Sequence, residues 1–335
     1  MMTYRGALIG CGYISKQQLA AWQQVQEAEI VAVCDLDAAK AHERAREFGI
    51  EASYTDLGRM LDEMDLDFVD IATRPANHLP LVTTCASRGH HVLCQKPMAP
   101  SMSEAEQMVQ ECDQADVVLM INENVRHQAW FRKIRELMEG GALGTVHYAR
   151  FENRWRSTLP TPEFEGQDYF QQMPRLILYE FGVHYFDTAR YLFGEPRSIS
   201  ANLRRISPEI VGEDLALVVV NFGDHLCLLD LNWFSVPEPA TEEITSGRVR
   251  IEGTEGTVLL EVDGSLTLYI EGDQQEWNFP IDTIPQGFVA AQKHFVECLS
   301  SGQMPETSGS DTLKTMELVF AAYQSAEDGR TIALD

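Results

Sequence analysis

The sequence predicts an α/β chain: a doubly wound parallel sheet at the N-terminal end, followed by an α+β part with a large, open, mostly antiparallel sheet. Three observations predict it. Short apolar runs alternate with amphipathic helical segments up to about Asn122. Strand-like runs then follow one another with glycine turns between them. The length of 335 residues is that of a two-domain chain, with 44% hydrophobic residues to fill two cores. We place the division at 1–123 and 124–335.

The first part reads strand Tyr4–Ile9, helix Ser15–Val25, strand Glu29–Cys34 and helix Ala38–Phe48. Helix Leu57–Met64, strand Phe68–Ala72, helix His78–Ser87 and strand His91–Cys94 continue it, and helix Ser103–Gln114 and strand Val117–Ile121 close it. The strand runs are almost continuously apolar, as a parallel sheet covered on both faces requires. In the second part, helix Trp130–Met138 stops at Gly140 and Gly141, a helix-ending signal. Strand Thr145–Trp155, a proline-bearing loop Leu159–Pro174 and a long helix Leu176–Leu192 follow. Strands are expected at Ile199–Arg205, Leu215–Phe222, Leu226–Trp233, Glu243–Glu252, Thr257–Val262 and Leu266–Glu271, then helices at Gly287–Leu299 and Asp311–Ala326.

The formal net charge is −25. Nucleic acid and anionic membrane surfaces are excluded as partners, because both demand clustered Lys and Arg. No apolar run approaches the length of a bilayer span, and the N-terminus lacks a leader pattern. The seven cysteines contain no CxxC pair, and several lie in strand-like runs. Reduced, buried thiols and a cytoplasmic location follow.

Gly10-Cys11-Gly12-Tyr13-Ile14-Ser15 directly follows the first strand and opens the first helix. The first glycine permits the tight turn, the second lets backbone approach a pyrophosphate, and the third position needs a small residue. Free N–H groups at the helix N-terminus favour the phosphates. A ligand-free tight turn has the same local pattern, but the strand–helix–strand context is that of a dinucleotide site. Asp35 ends the second strand about 20 residues past the loop, where a carboxylate accepts from a ribose. Its alternative role is a helix cap. The carboxylate disfavours the extra phosphate of NADP, so NAD is the expected cofactor.

Three further segments can carry chemistry. Lys96 follows a strand at the ligand edge of the sheet, where its ammonium can polarise a carbonyl or hold a hydroxyl. A plain surface lysine is its alternative. Glu180 and His184 lie four apart on a helix and so share a face. His184 can take an alcohol proton near neutral pH. Gly182 between them weakens the helix, which fits a close approach. A satisfied surface pair and a metal site completed by Asp187 are the alternatives. No metal is expected. Arg126, Trp155, Arg156 and Arg175 are candidates for binding substrate hydroxyls or a carboxylate.

Taken in order, the glycine loop, Asp35, Thr73-Arg74-Pro75-Ala76-Asn77-His78, Gln95-Lys96-Pro97, Asn124-Val125-Arg126 and the helix with Gly182 and His184 resemble the Gfo/Idh/MocA oxidoreductases over nearly the whole chain. The resemblance implies a Rossmann domain joined to an open-faced sheet domain that mediates homodimers or homotetramers. It implies hydride transfer between NAD and a ring carbon of a sugar, sugar acid or cyclitol. Lys96 then corresponds to the family's active-site lysine and His184 to its acid–base histidine. Glu180 stands where many members have Asp. Gly10, Gly12, Tyr13, Ile14, Asp35, Thr73, Arg74, His78, Gln95, Lys96 and Asn124 would line the cofactor. Gln95 replaces the usual Glu, and Arg74 adds a charge where Pro or Asn is commoner. A glycosidase or lyase of the same fold, or a non-catalytic NAD-binding regulator, is the alternative function.

Overall fold

A computed structural model describes residues 3–164, 166–236, 245 and 247–334. The chain divides into two compact units, 1–124 with 285–316, and 125–284 with 317–335.

The first unit is built on six parallel strands: β1 (Tyr4–Ile9), β2 (Ala28–Cys34), β3 (Ala52–Tyr54), β4 (Phe68–Ile71), β5 (His91–Gln95) and β6 (Leu119–Asn122). Their spatial order is β3-β2-β1-β4-β5-β6. The order reverses at β1, which makes the crevice beyond its C-terminal end the ligand position of such a sheet. Helices α1 (Tyr13–Trp22), α2 (Ala38–Phe48), α3 (Leu57–Glu63), α4 (His78–Ala86) and α5 (Met102–Gln114) connect the strands. Asp37, Asp56 and Ser101 cap α2, α3 and α5 with side-chain oxygens. β1, β4 and β5 are buried along most or all of their length, as their unbroken apolar runs require. β3 has three residues, too few to show a period.

The second unit holds α6 (Ala129–Glu139), β7 (Val146–Arg154), a helix whose regular part is α7 (Val183–Phe193), and strands β8 (Ser198–Arg204), β9 (Leu215–Asn221) and β10 (Leu226–Asn232). β11 (Arg248–Gly253), β12 (Gly256–Leu260), β13 (Ser265–Ile270), β14 (Asp273–Asn278) and β15 (Ile332–Ala333) complete its sheet. The order is β14-β13-β12-β11-β7-β10-β9-β8-β15, and the β7–β10 pair is the parallel one. Residues 243, 244 and 246 of the expected strand Glu243–Glu252 lie outside the described residues. β14 is polar and mostly exposed, which hides it from a hydrophobic-period search. One face of the sheet is apolar. Phe151 packs on Phe131 of α6 and on Tyr185 of α7.

Two long helices follow β14, α8 (Thr283–Ser301) and α9 (Gly309–Asp328). α8 belongs to the first unit. Its Ala291, Phe295 and Val296 join the core of Trp22, Leu8 and Phe68, and Phe295 meets Phe68 edge-on at 5.6 Å. Thr307, beyond α8, donates from its hydroxyl to the Ile121 carbonyl. This return to the first unit has no local sequence signal, because the apolar residues of α8 fit either core equally well.

Asp70 on β4 is fully buried. Trp22 Nε1 donates to its Oδ2 at 2.7 Å, and among the described residues Oδ1 has no hydrogen-bond partner. Burial raises its pKa to about 7, against the opposing Trp22 bond. A raised carboxyl pKa means the folded state holds the proton more tightly. The stability it brings is complete below the unfolded value of about 4 and is lost as pH rises through 7. Asp70→Asn should therefore flatten the fall in melting temperature between pH 5 and 8, with the larger gain over wild type at pH 8; equal pH slopes in calorimetry would contradict this.

Candidate active site

In the first unit, the glycine loop leaves β1 with Gly10 at φ +96°, a left-handed conformation suited to glycine. A Cβ there would lie 2.7 Å from the Ala72 carbonyl oxygen. A Cβ on Gly12 would meet nothing within 4 Å. The loop is therefore packed from behind at Gly10 and open at Gly12, the cradle a pyrophosphate needs. Gly12 is also the N-cap of α1 and supplies no side-chain cap, so the first-turn N–H groups stay available for an anion.

Asp35 is fixed by this loop. Its Oδ2 accepts from the Cys11 N–H at 2.7 Å and its Oδ1 from the Asp37 N–H at 2.8 Å. Each oxygen keeps further acceptor capacity for a ribose hydroxyl. The cap of α2 is Asp37, so the helix-cap role does not fall to Asp35. Tyr13 is exposed, while Ile14 packs partly against the core. Burial raises the Cys11 thiol to about 12, with Asp35 adding to the effect. Cys11 is thus a neutral packing group beside the site.

Thr73 is half-buried and Arg74 exposed at the end of β4. His78 needs a different role from the cofactor contact expected of it. Its ring is fully buried, with Nδ1 3.0 Å from the Met98 carbonyl oxygen and Nε2 3.0 Å from that of Thr73. Burial lowers its pKa, while both carbonyls pull the other way. The imidazole ties the segment after β4 to the segment after Lys96. Gln95 is also buried, and its Oε1 accepts from the Lys96 N–H at 2.6 Å. Lys96 is half-buried, and Asn124 is buried.

In the second unit, the helix read as regular over Leu176–Leu192 opens with a π turn, Leu178–Gly182. Such a turn inserts an extra residue and is common where a side chain must be re-aimed. It carries Glu180, and α7 carries His184; both are buried. The glycine between them has a packing reason. A Cβ on Gly182 would come 2.9 Å from Leu178 Cδ1 and 3.3 Å from Leu231 Cδ1 of β10. It serves the approach of the sheet rather than of a ligand.

Two carboxylates hold this helix, and sequence inspection singled out neither for that task. Asp187 accepts from Arg126 Nε at 2.6 Å and from Arg126 Nη2. Both side chains are buried, so the pair is a bidentate internal ion bridge. Arg126 was expected at the substrate; instead its guanidinium anchors the helix one turn past His184. Asp187, the third ligand of the metal alternative, is engaged by an arginine. Glu213 Oε1 accepts from Leu176 N and Leu178 N, each at 3.1 Å, and from Tyr323 Oη at 2.6 Å. It caps the helix start, and burial raises its pKa.

Trp155 stacks on Trp233 at 5.7 Å and meets Phe181 edge-on at 4.9 Å. Phe164 and Phe170, from the proline-bearing loop, pack on the same Trp233. Phe181 in turn meets the His184 ring at 5.9 Å. Trp155 and His184 therefore share one aromatic neighbourhood through Phe181. Arg156 and Arg175 are exposed. Arg175 lies over Phe320 and Tyr323 of α9, 5.0 and 5.2 Å from the ring centres. That contact directs it towards α9.

A switch-point sheet with an open glycine cradle and a carboxylate bonded to that loop is the pattern of a dinucleotide-dependent oxidoreductase. The chain belongs to the Gfo/Idh/MocA oxidoreductase family: residues 4–123 match its NAD-binding Rossmann fold and residues 135–334 its C-terminal α/β domain. It is 36% identical to the D-apiose dehydrogenase of Rhizobium rhizogenes, over 99% of this chain and 98% of that protein. It is 25% identical to the myo-inositol 2-dehydrogenase of Thermotoga maritima, over 99% and 98%. An oxidoreductase of Agrobacterium radiobacter, crystallised with NAD+, L-tartaric acid and magnesium, superposes with a TM-score of 0.92 at 34% identity, covering 99% of this chain and 98% of that one.

Removing one partner of a buried ion pair leaves an uncompensated charge. Asp187→Ala should lower the unfolding free energy by about 3 kcal/mol or more. A double-mutant cycle with Arg126→Met in urea should recover part of that loss. Additive losses would show that the two side chains do not act as a pair.

Proposed function

We propose that this protein is an NAD-dependent dehydrogenase that oxidises a ring CH–OH of a sugar, with D-apiose the first substrate to test. The placement of Glu180 and His184 on one buried, doubly anchored helix carries this reading. A base for alcohol oxidation must be held at a fixed angle, and Arg126–Asp187 and Glu213 hold it. Support for the substrate class comes from the relatives, since the chain is more similar to D-apiose dehydrogenases than to the myo-inositol enzyme.

In this reading His184 accepts the hydroxyl proton, and the Lys96 ammonium stabilises charge developing on the oxygen. Glu180 orients the ring or His184. Trp155 and its aromatic neighbours offer an apolar surface to the C–H face of a sugar. The nicotinamide supplies the hydride acceptor. Gly10, Gly12, Tyr13, Asp35, Thr73, Arg74, Gln95 and Asn124 line the dinucleotide as a whole in this proposal. NAD is favoured over NADP because Asp35 stands where the extra phosphate would fall.

A homodimer or homotetramer formed through the open sheet face is part of the proposal. That face brings Arg150, Arg154, Arg248 and Arg250 together with Glu152, Asp230, Glu252 and Glu261 in paired contacts. Half-exposed Leu217 and Val219 flank them. On a chain of net charge −25, a locally balanced face is where two copies meet with least repulsion. The compartment proposed is the cytoplasm. All seven cysteines are free, and no helix among the described residues is long and apolar enough to cross a membrane.

His184→Ala should cut turnover with D-apiose by about 10²–10⁴-fold and leave the Kd for NAD+ unchanged. Unaltered turnover would remove His184 from the reaction.

A further inference from the structure

Arg44, on α2, lies behind the glycine loop and is buried, with 6% of its surface exposed. Its Nε donates to Ser15 Oγ at 2.9 Å. Its Nη2 donates to the carbonyl oxygens of Cys11 at 3.3 Å and Gly12 at 3.4 Å. Its Nη1 pairs with Glu47, which Lys16 of α1 also reaches at 3.4 Å. Ser15 Oγ in turn donates to the Gly12 carbonyl at 2.5 Å. The carbonyls on both sides of Gly12 are thus held from one direction by a single planar guanidinium and the hydroxyl it fixes.

We propose that Arg44 is a positioning residue for the dinucleotide: by holding the Cys11 and Gly12 carbonyls from behind, it aims the N–H groups of Gly12 and Tyr13 at the pyrophosphate. This rests on the dinucleotide reading of the loop. The peptide bonds Cys11–Gly12 and Gly12–Tyr13 are trans. In a trans peptide the C=O and the N–H point in opposite directions. Fixing the Cys11 oxygen towards α2 therefore turns the Gly12 N–H away from it, and fixing the Gly12 oxygen does the same for Tyr13. A Cβ on Gly12 would meet nothing within 4 Å, so the loop is open to a ligand at this residue. Glycine cannot hold this orientation alone, because it is the residue with the freest backbone.

The arrangement also gives Ser15 a purpose. The third small position of the loop needs little volume, and Ala or Gly would satisfy it. Serine adds the hydroxyl that joins Arg44 to Gly12. A lysine at position 44 would keep the charge but lose the fork that reaches Ser15, Cys11 and Gly12 together.

The test compares ligands with and without a pyrophosphate. Kd values for NAD+, ADP and adenosine are measured by calorimetry on the full chain, wild type, Arg44→Met and Ser15→Ala, each checked for a native melting transition. Arg44→Met should weaken NAD+ and ADP by about tenfold, as expected for misdirected hydrogen bonds to a charged group, and leave adenosine unchanged. Ser15→Ala should do the same to a smaller degree, and it carries the test if Arg44→Met does not fold. Unchanged ADP affinity, or an equal loss for adenosine, would overturn the proposal. Failure of the wild-type protein to bind NAD+ at all would overturn the dinucleotide reading beneath it.

Discussion

The second unit is organised around one demand: a helix that is buried almost throughout yet carries Glu180, His184, Asp187, Thr188 and Arg190. Buried polar groups need partners, and buried charges need opposite charges. The neighbouring segments supply them. Asp187 has Arg126, Arg190 has Glu195, and the Thr188 hydroxyl returns to the His184 carbonyl. The helix start is capped from the loop before β9 by Glu213, which Tyr323 of α9 also binds. Segments far apart in sequence thus converge on a single element. A helix held in this way presents Glu180 and His184 in one orientation.

The first unit works by the opposite device. Its helices α2, α3 and α5 are capped by side chains, but α1 begins at a bare glycine. Its donors are left for a ligand, and what fixes them is the network behind the loop through Ser15, Arg44 and Asp35. The first unit thus offers oriented donors to an anionic cofactor.

Much of this was legible in the sequence. The alternation of apolar runs and amphipathic segments located five of the six strands of the parallel sheet, and the glycine loop with Asp35 marked its ligand edge. What escaped detection is tertiary in origin. β3 and β15 are too short for a period and β14 too polar, while α8 could pack against either core. At the site, residue type singled out Lys96, Glu180 and His184 as groups able to do acid–base chemistry. It does not reveal what a residue bonds to when the partner is distant in sequence. Arg126 resembles a substrate arginine until Asp187 is beside it, and His78 a cofactor contact until two carbonyls bracket its ring. Arg44 carries no signal at all, being one of two arginines on an amphipathic helix. The π turn is likewise invisible, because its apolar residues fit an α period.

The most direct test of the central claim follows the hydrogen itself. D-apiose, deuterated at its ring CH–OH carbons, is incubated with the protein and NAD+, and the nicotinamide product is analysed by mass spectrometry. The account predicts reduced cofactor carrying one deuterium, formed in step with sugar oxidation. Bound NAD+ with no labelled reduced cofactor, from D-apiose or from any ring sugar or cyclitol tried in its place, would contradict it.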